Sequence, residues 1–255
     1  MKIACWNVNS LNVRLQHVFD WSVQQKPDVL CLQETKTIDE NFPVEALSDS
    51  GWQVKYSGQK TYNGVAVMAR GPLHDAVTDL PNLEDPQRRM LAVTYEDVRI
   101  INVYVPNGKQ VGDEKYDYKL KWLVHLKEFV ASELKRYSKV VVTGDFNIAP
   151  ADEDVHDPKL WKGKILCSEP ERESFQRLLA LGMTDSFRLF EQPPRSFTWW
   201  DYRKAGFRRD LGLRIDHIVV SDELKRACTS CLIDKEPRKW ERPSDHTPVL
   251  AHFDV

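Results

Sequence analysis

No run of about 18 consecutive apolar residues occurs anywhere in the 255-residue chain, which excludes a membrane-spanning helix. Met1 to Asn9 likewise lacks the charged start, apolar stretch and small-residue cleavage site of a secretion signal, so a cytoplasmic location is the expectation. Charge of one sign is also missing. Thirty-six Lys and Arg nearly balance 38 Asp and Glu, for a formal net charge of −2, and a globally basic nucleic-acid coat is excluded. A local basic groove is not, because attraction to phosphate depends on where charges sit. The five cysteines are few and odd in number; Cys5 and Cys31 lie in strand-like apolar runs, where a thiol acts as a small hydrophobe. Only Cys228 and Cys231 form a Cys-x-x-Cys pair, with no second pair at zinc-finger spacing, so the thiols read as reduced and structural. Low-complexity segments and short repeats are absent too.

What is present is ordinary globular composition, 42% apolar and 29% charged. Runs rich in Val, Ile, Leu and aromatics predict strands at Lys2–Asn7, Asp28–Gln33, Val54–Ser57, Val65–Ala69, Met90–Thr94 and Val98–Val105. A second set follows at Lys139–Gly144, Ser196–Trp200, Ile215–Val220 and Pro248–Phe253. Helical spacing marks Val13–Gln24 and Lys119–Tyr137, the latter with Leu123, Leu126, Val130 and Leu134 on one face and Lys119 and Glu133 among the charges on its other sides. Glu171–Leu181 reads as a third helix, opened by a Ser168/Glu171 capping box and closed by Gly182. Two strand sets flanked by helices, divided near the long helix, predict an α/β fold: a two-sheet α/β sandwich with helices on the outer faces and two similar lobes in one domain over residues 1–255.

Polar and acidic residues gather where strands end or begin: Asn7 after the first, Glu34 after the second, Asp145 and Asn147 after the strand that follows the long helix, Asp216 at the start of a later one, and Asp245-His246 before the last. Open α/β sheets place ligands at such lips. Taken singly, Asp145 after Gly144 is a turn and Ser244-Asp245 a loop cap. Glu34, directly after Val29-Leu30-Cys31-Leu32-Gln33, must reach solvent or find a partner. Together the set offers oxygen ligands for a hard divalent cation, Mg²⁺ with Mn²⁺ as the alternative, and thiols are absent from it. Carboxylates beyond those needed for metal remain to take a proton from water and to orient His246, as phosphodiester hydrolysis requires.

These residues, in this order, resemble the exonuclease III type of apurinic/apyrimidinic (AP) endonucleases, within the endonuclease/exonuclease/phosphatase superfamily. The likeness runs through Ile3-Ala4-Cys5-Trp6-Asn7, Leu32-Gln33-Glu34-Thr35-Lys36, Tyr62-Asn63-Gly64-Val65-Ala66, Asn102-Val103-Tyr104-Val105-Pro106-Asn107-Gly108, Gly144-Asp145-Phe146-Asn147, Gly212-Leu213-Arg214-Ile215-Asp216 and Ser244-Asp245-His246. It implies that Glu34 holds the principal metal with Asn7 and Asp245 close by, and that Asp145, supported by Asn147, is the best candidate to activate water. It further implies that His246 with Asp216 binds the scissile phosphate or assists proton transfer, and that Tyr104 contacts that phosphate or the leaving oxygen. The sequence does not choose the base among Asp145, His246 and Tyr104.

Phosphate ligands are expected at Lys36, Arg88, Arg89, Asn107, Lys119 and Arg203, each in or near a matching motif; for Lys119 a solvated helix face is the competing reading. Trp199 and Leu213 match the hydrophobic walls of the family's pocket for a baseless sugar, which a normal nucleotide is too bulky to enter. Two departures stand out. Asn9 replaces an Asp of some relatives, weakening a second metal position, and Gly108-Lys109-Gln110-Val111-Gly112 offers no residue to press into the duplex. His217, next to Asp216 on a strand, alternates away from it and reads as structural. The expected function is a monomeric DNA-repair phosphodiesterase that cuts duplex DNA 5′ to abasic sites and trims blocked 3′ ends. The alternatives are a 3′-end-processing exonuclease or phosphatase with little abasic incision, another superfamily hydrolase acting on inositol phosphates, sphingomyelin or RNA, and a non-catalytic nucleic-acid binder.

Overall fold

Alternate residues of the first strand face two different cores: Ile3 and Cys5 point into one apolar cluster, Ala4 and Trp6 into another. A strand buried on both faces reads as an unbroken apolar run rather than an alternating one, which is why these strands were legible. The computed structural model describes all 255 residues, Met1–Val255. Its strands are β1 (Lys2–Asn7), β2 (Val29–Gln33), β3 (Gln53–Ser57), β4 (Val65–Ala69), β5 (Leu73–Val77), β6 (Met90–Tyr95), β7 (Val98–Tyr104), β8 (Val140–Asp145), β9 (Met183–Asp185), β10 (Trp199–Trp200), β11 (Gly212–Leu213), β12 (Asp216–Ser221), β13 (Cys228–Ile233) and β14 (Val249–Phe253). The helices are α1 (Leu11–Gln25), α2 (Val44–Asp49), α3 (Glu114–Glu133), α4 (Pro158–Trp161), α5 (Glu169–Leu179) and α6 (Asp222–Ala227).

Two mixed six-stranded sheets form a sandwich with helices outside, ordered β13-β14-β1-β2-β4-β3 and β5-β6-β7-β8-β12-β9; β10 and β11 make a small separate ladder. Within each sheet one central pair is parallel, β1 with β2 and β7 with β8. The inner core joins Val29, Cys31, Val65 and Val67 of one sheet to Leu91, Val93, Val141 and Ile218 of the other. Outside, α1 packs Val18 and Trp21 on the first sheet, while α3 and α5 pack Trp122, Leu126, Phe175 and Leu178 on the second. No helix is long and apolar enough to cross a membrane.

The dividing line between the sheets is not the long helix. Strands β5 to β7 precede α3 yet belong with β8, and the chain returns at its end to set β13 and β14 beside β1. The helix itself starts five residues earlier than its apolar spacing implied, because the Asp113 carboxylate accepts from the Lys115 N–H and caps it. Two of its charged residues are not on a solvated face. Glu133 is buried against Arg99, 2.5 Å away, and Lys119 is buried completely. The capping box at α5 forms as its sequence implied, with the Ser168 N–H donating to Glu171 Oε2 at 3.0 Å. Of the strand expected over Ser196–Trp200, only β10 pairs as a strand.

One buried amide joins the two sheets beneath the site. Asn102 on β7 donates through Nδ2 to the carbonyls of Leu32 (3.0 Å) and Ala66 (2.8 Å), and its Oδ1 accepts from Gln33 Nε2 at 2.7 Å.

Candidate active site

The parallel β1 and β2 run in register with Asn7 opposite Gln33, so both end at the same edge and leave Asn7 and Glu34 side by side. In the other sheet Asp145 closes β8 directly across the ladder from Asp216, which opens β12. Gly144 makes that closure possible: it has φ +133°, and a Cβ there would lie 2.1 Å from the Val103 carbonyl oxygen, so β8 can press against β7 beside Asp145 only with glycine. Past the strand ends the backbone turns sharply. Glu34 (φ 51°) and Asn147 (φ 50°) both occupy left-handed conformations that cost a non-glycine residue about 1 kcal/mol or more and persist only when neighbours hold them. His246 arrives from the segment before β14, bridged to Trp199.

These lips meet. Asn7 donates through Nδ2 to Glu34 Oε1 and to Asp145 Oδ2, both at 2.9 Å, while its Oδ1 accepts from the Asn9 N–H at 3.0 Å, which fixes the amide's orientation. Asn7 therefore bridges the two carboxylates through its amide nitrogen. Asp145 Oδ1 accepts the Asn147 N–H at 2.9 Å and Oδ2 accepts Asn147 Nδ2 at 3.2 Å. His246 Nδ1 lies 2.8 Å from Asp216 Oδ2, and its Nε2 lies 3.7 Å from Asp145 Oδ2. Asp216 is held in turn by its N–H donating to Thr198 Oγ1 at 3.1 Å.

Charge and burial tune the cluster. Burial is the largest influence on Asp145 and, with the Asp216 and Glu34 carboxylates, raises its pKa although His246 opposes the shift. Burial alone would lower the pKa of His246, but Asp216 and Asp145 outweigh it and raise it above its ordinary value, so the imidazole is a cation at neutral pH. Tyr104 is pushed well up by burial and then by Glu34 and Asp145, which keeps its phenol protonated. One donor atom each from Glu34, Asp145 and His246 lies within 4.8 Å of the others. Two crowded carboxylates with hard oxygen donors and no thiol among them fit a hard divalent cation, whose charge would relieve the repulsion that raises Asp145.

Around this centre the expected contact residues divide. Lys36 Nζ sits 2.8 Å from Glu34 Oε2 and donates to Asn9 Oδ1 at 2.5 Å. The Arg89 guanidinium lies over the Tyr104 ring, 4.7 Å from its centroid, and Asn107 Nδ2 donates to Asn147 Oδ1 at 3.0 Å. Arg89 and Asn107 share a cleft of about 500 Å³ with Lys109, Lys115 and Tyr118. Arg88 stands farther out, paired with Asp79, and the Arg203 side chain is 88% exposed. Asp245 lies beside the cluster but gives both oxygens to protein donors, Trp199 Nε1 at 3.0 Å and Asn9 Nδ2 at 2.9 Å.

Two expected DNA contacts are corrected. Lys119 exposes no surface and pairs with Glu171 at 2.5 Å, so no phosphate reaches it. Leu213 is also fully buried, packed with Val155 and Ile215, so only the half-buried Trp199 of that pair presents a wall. His217 is structural as its strand position implied, with Nε2 against the Ile148 carbonyl and Nδ1 against Arg214. Thr198, which holds Asp216, carried no signal in the sequence, and Ser244 was legible only as a loop cap and motif member, not as a contact to Asn7. The Ser244 hydroxyl donates to the Asn7 carbonyl at 2.7 Å and so ties the segment carrying Asp245 and His246 to the end of β1.

A model of the Endonuclease/Exonuclease/phosphatase family matches residues 4–246. The chain belongs to that family. It is 35% identical to the exodeoxyribonuclease III of Haemophilus influenzae over 99% of this chain and 100% of the relative, which places it in the exonuclease III type branch. Among solved structures it is similar to the 3′ phosphatase NExo from Neisseria bound to a product DNA hairpin, with a TM-score of 0.98 and 51% identity across 100% of both chains. An AP endonuclease from Archaeoglobus fulgidus superposes with a TM-score of 0.95 at 37% identity, again over 100% of each.

Proposed function

We propose that the protein is a Mg²⁺-dependent DNA-repair phosphodiesterase that incises duplex DNA 5′ to abasic sites and removes blocking groups from 3′ ends. The observation that carries this reading is the joining of Glu34, Asp145 and the Asp216–His246 pair at one edge of both sheets. Relatives named as a 3′ phosphatase, an exodeoxyribonuclease and an AP endonuclease support DNA as the substrate.

Glu34 and Asp145 would hold the cation, which supplies Lewis-acid polarisation of the phosphate. The remaining steps belong to protein groups. Tyr104 keeps its proton and His246 already carries one, so neither is suited to accept another; Asp145 is left to take the proton from the attacking water. The water oxygen bonds to phosphorus as the bond to the leaving 3′ oxygen breaks. His246, charged against Asp216, binds a non-bridging phosphate oxygen, and the Tyr104 hydroxyl hydrogen-bonds to the leaving 3′ oxygen, which takes its proton from solvent water while Asp145 returns the proton it accepted to solvent. Asn7 and Asn147 orient Asp145. Lys36, Arg89 and Asn107 counter the repulsion between the acidic cluster and the strand.

A second reading, 3′-end processing with little abasic incision, draws on the burial of Leu213, which leaves Trp199 as the one partly exposed wall of the pair. The test is incubation of the pure protein with Mg²⁺ and duplexes bearing an abasic analogue, a 3′ phosphate or an undamaged recessed 3′ end. Cleavage of the first two supports the main reading, and loss of the 3′ phosphate alone supports the second. Activity undiminished in excess EDTA, or by Asp145→Asn, overturns the mechanism.

A further inference from the structure

Lys119 is a lysine with no surface. It lies one turn into α3 with its ammonium inside the protein, and its hydrogen-bond partners come from three separate segments. Nζ donates to the Asn147 carbonyl at 2.6 Å, to Glu171 Oε1 at 2.5 Å and to the Asn107 carbonyl at 3.3 Å. Glu171 cannot follow it elsewhere, because Oε1 also accepts the Leu166 N–H at 3.0 Å and Oε2 accepts the Ser168 N–H. The loop after β7 is moulded to the lysine stem. Gly108 has φ +87°, and a Cβ there would stand 2.9 Å from Ile165 Cδ1 and 3.2 Å from Lys119 Cδ.

The carbonyl it grips belongs to a residue in a left-handed backbone conformation whose N–H holds Asp145 Oδ1. The second carbonyl belongs to Asn107, whose side chain holds Asn147 Oδ1. We infer that Lys119, anchored by Glu171, is a positioning residue that locks Asn147 in this conformation and so aims the Asp145 carboxylate. The inference rests on the functional reading above, since it gives Asp145 work to do. A buried ion pair of no functional consequence would be the alternative, and the two differ in what changes when the pair is broken.

The test compares Lys119→Met with Leu126→Ala, a variant on the same helix whose side chain lies in the α3 core, both assayed where circular dichroism shows them folded. For Lys119→Met kcat on the cleaved duplex is expected to fall about 10-fold or more, because small displacements of a reacting group are costly, while the Kd for DNA stays within about three-fold. Leu126→Ala is expected to lose melting temperature with kcat unchanged. Equal kcat in the two variants, or a loss confined to DNA affinity, overturns the inference. Should Lys119→Met fail to fold, the isosteric Glu171→Gln serves, and an unchanged kcat there overturns it equally. Mn²⁺ titration of the DNA-free protein followed by electron paramagnetic resonance is a readout separate from cleavage. Weaker Mn²⁺ binding in Lys119→Met supports the inference, and unchanged binding counts against it. If the wild type cleaves no duplex the functional reading fails, and the Mn²⁺ titration still decides this one.

Discussion

Asp216 and Asp145 face each other across the β8–β12 ladder, and His246 reaches both, 2.8 Å from the first and 3.7 Å from the second. The imidazole is thus suspended between two carboxylates on adjacent strands, one that holds it and one that shares its field.

The Asp216→Asn substitution should change the pH dependence of turnover. Asp216 is the strongest of the influences that raise His246, and burial pulls the other way, so without that carboxylate the imidazole loses its proton at lower pH. Wild-type activity is expected to persist on the alkaline side, whereas the variant should decline as pH rises through neutrality, with kcat lower by about 10²-fold at pH 8. A pH–rate profile whose alkaline limb does not move would reject a charged His246 as the phosphate ligand.

Glu34 is the more exposed of the two carboxylates proposed to hold the cation and the one supplied by the first sheet, so Glu34→Gln should raise the Mg²⁺ concentration for half-maximal activity by about 10-fold or more with the fold intact. Calorimetric metal titration checks this directly, and an unchanged binding isotherm would remove Glu34 from the site.

How much of this was visible beforehand follows from what each residue needs. Glu34 declared itself because a carboxylate abutting a doubly buried strand must reach solvent or find a partner, whereas Asp145, Asp216 and His246, each open to a plain turn or cap reading alone, became legible only as members of an ordered set. Strands β5, β9 and β13 did not, since they lie at sheet edges, β9 is only three residues long, and the others are half exposed and lack an apolar run. The return of β13 and β14 to the first sheet is a pairing with β1 across more than 200 residues, for which no local pattern exists. Lys119 was misread for the same reason: its neighbours in sequence are those of a solvated helix, and the acid that buries it lies 52 residues away.

The substrate assignment turns on Trp199, whose ring is half-buried and tethered through Nε1 to Asp245. Trp199→Ala is expected to impair incision at abasic sites more than removal of a 3′ phosphate, because the terminal phosphate need not carry a flipped sugar past that wall. The ratio of the two kcat/KM values is the measurement, and equal loss in a folded variant would reject the pocket.

His217 should make the fold acid-labile. Its folded pKa is lowered to about 3 by burial and by the adjacent Arg214 cation, against about 6.5 for an exposed histidine. At neutral pH both folded and unfolded chains leave it uncharged. As pH falls from about 6.5 toward 3 the unfolded chain takes up a proton that the folded one refuses, and stability drops by up to about 1.4 kcal/mol per pH unit from this group. In urea unfolding between pH 7 and 4, the wild type should therefore lose stability more steeply than His217→Gln; parallel curves would show that the histidine is not the source.

The amide of Asn102 gives the site a property its loops alone cannot. Glu34 and Asn7 ride on one sheet and Asp145 and Asp216 on the other, so the spacing between the halves of the cluster is the spacing between sheets. Asn102 sets that spacing as a registration pin: a slip of one residue along β7 would strand its hydrogen bonds to Leu32, Ala66 and Gln33 in an apolar interior at once. The distance between the two halves of the cluster is thus fixed in the middle of the sandwich, while the loops that carry Asn107 and Asn147 only aim the side chains that this distance brings together.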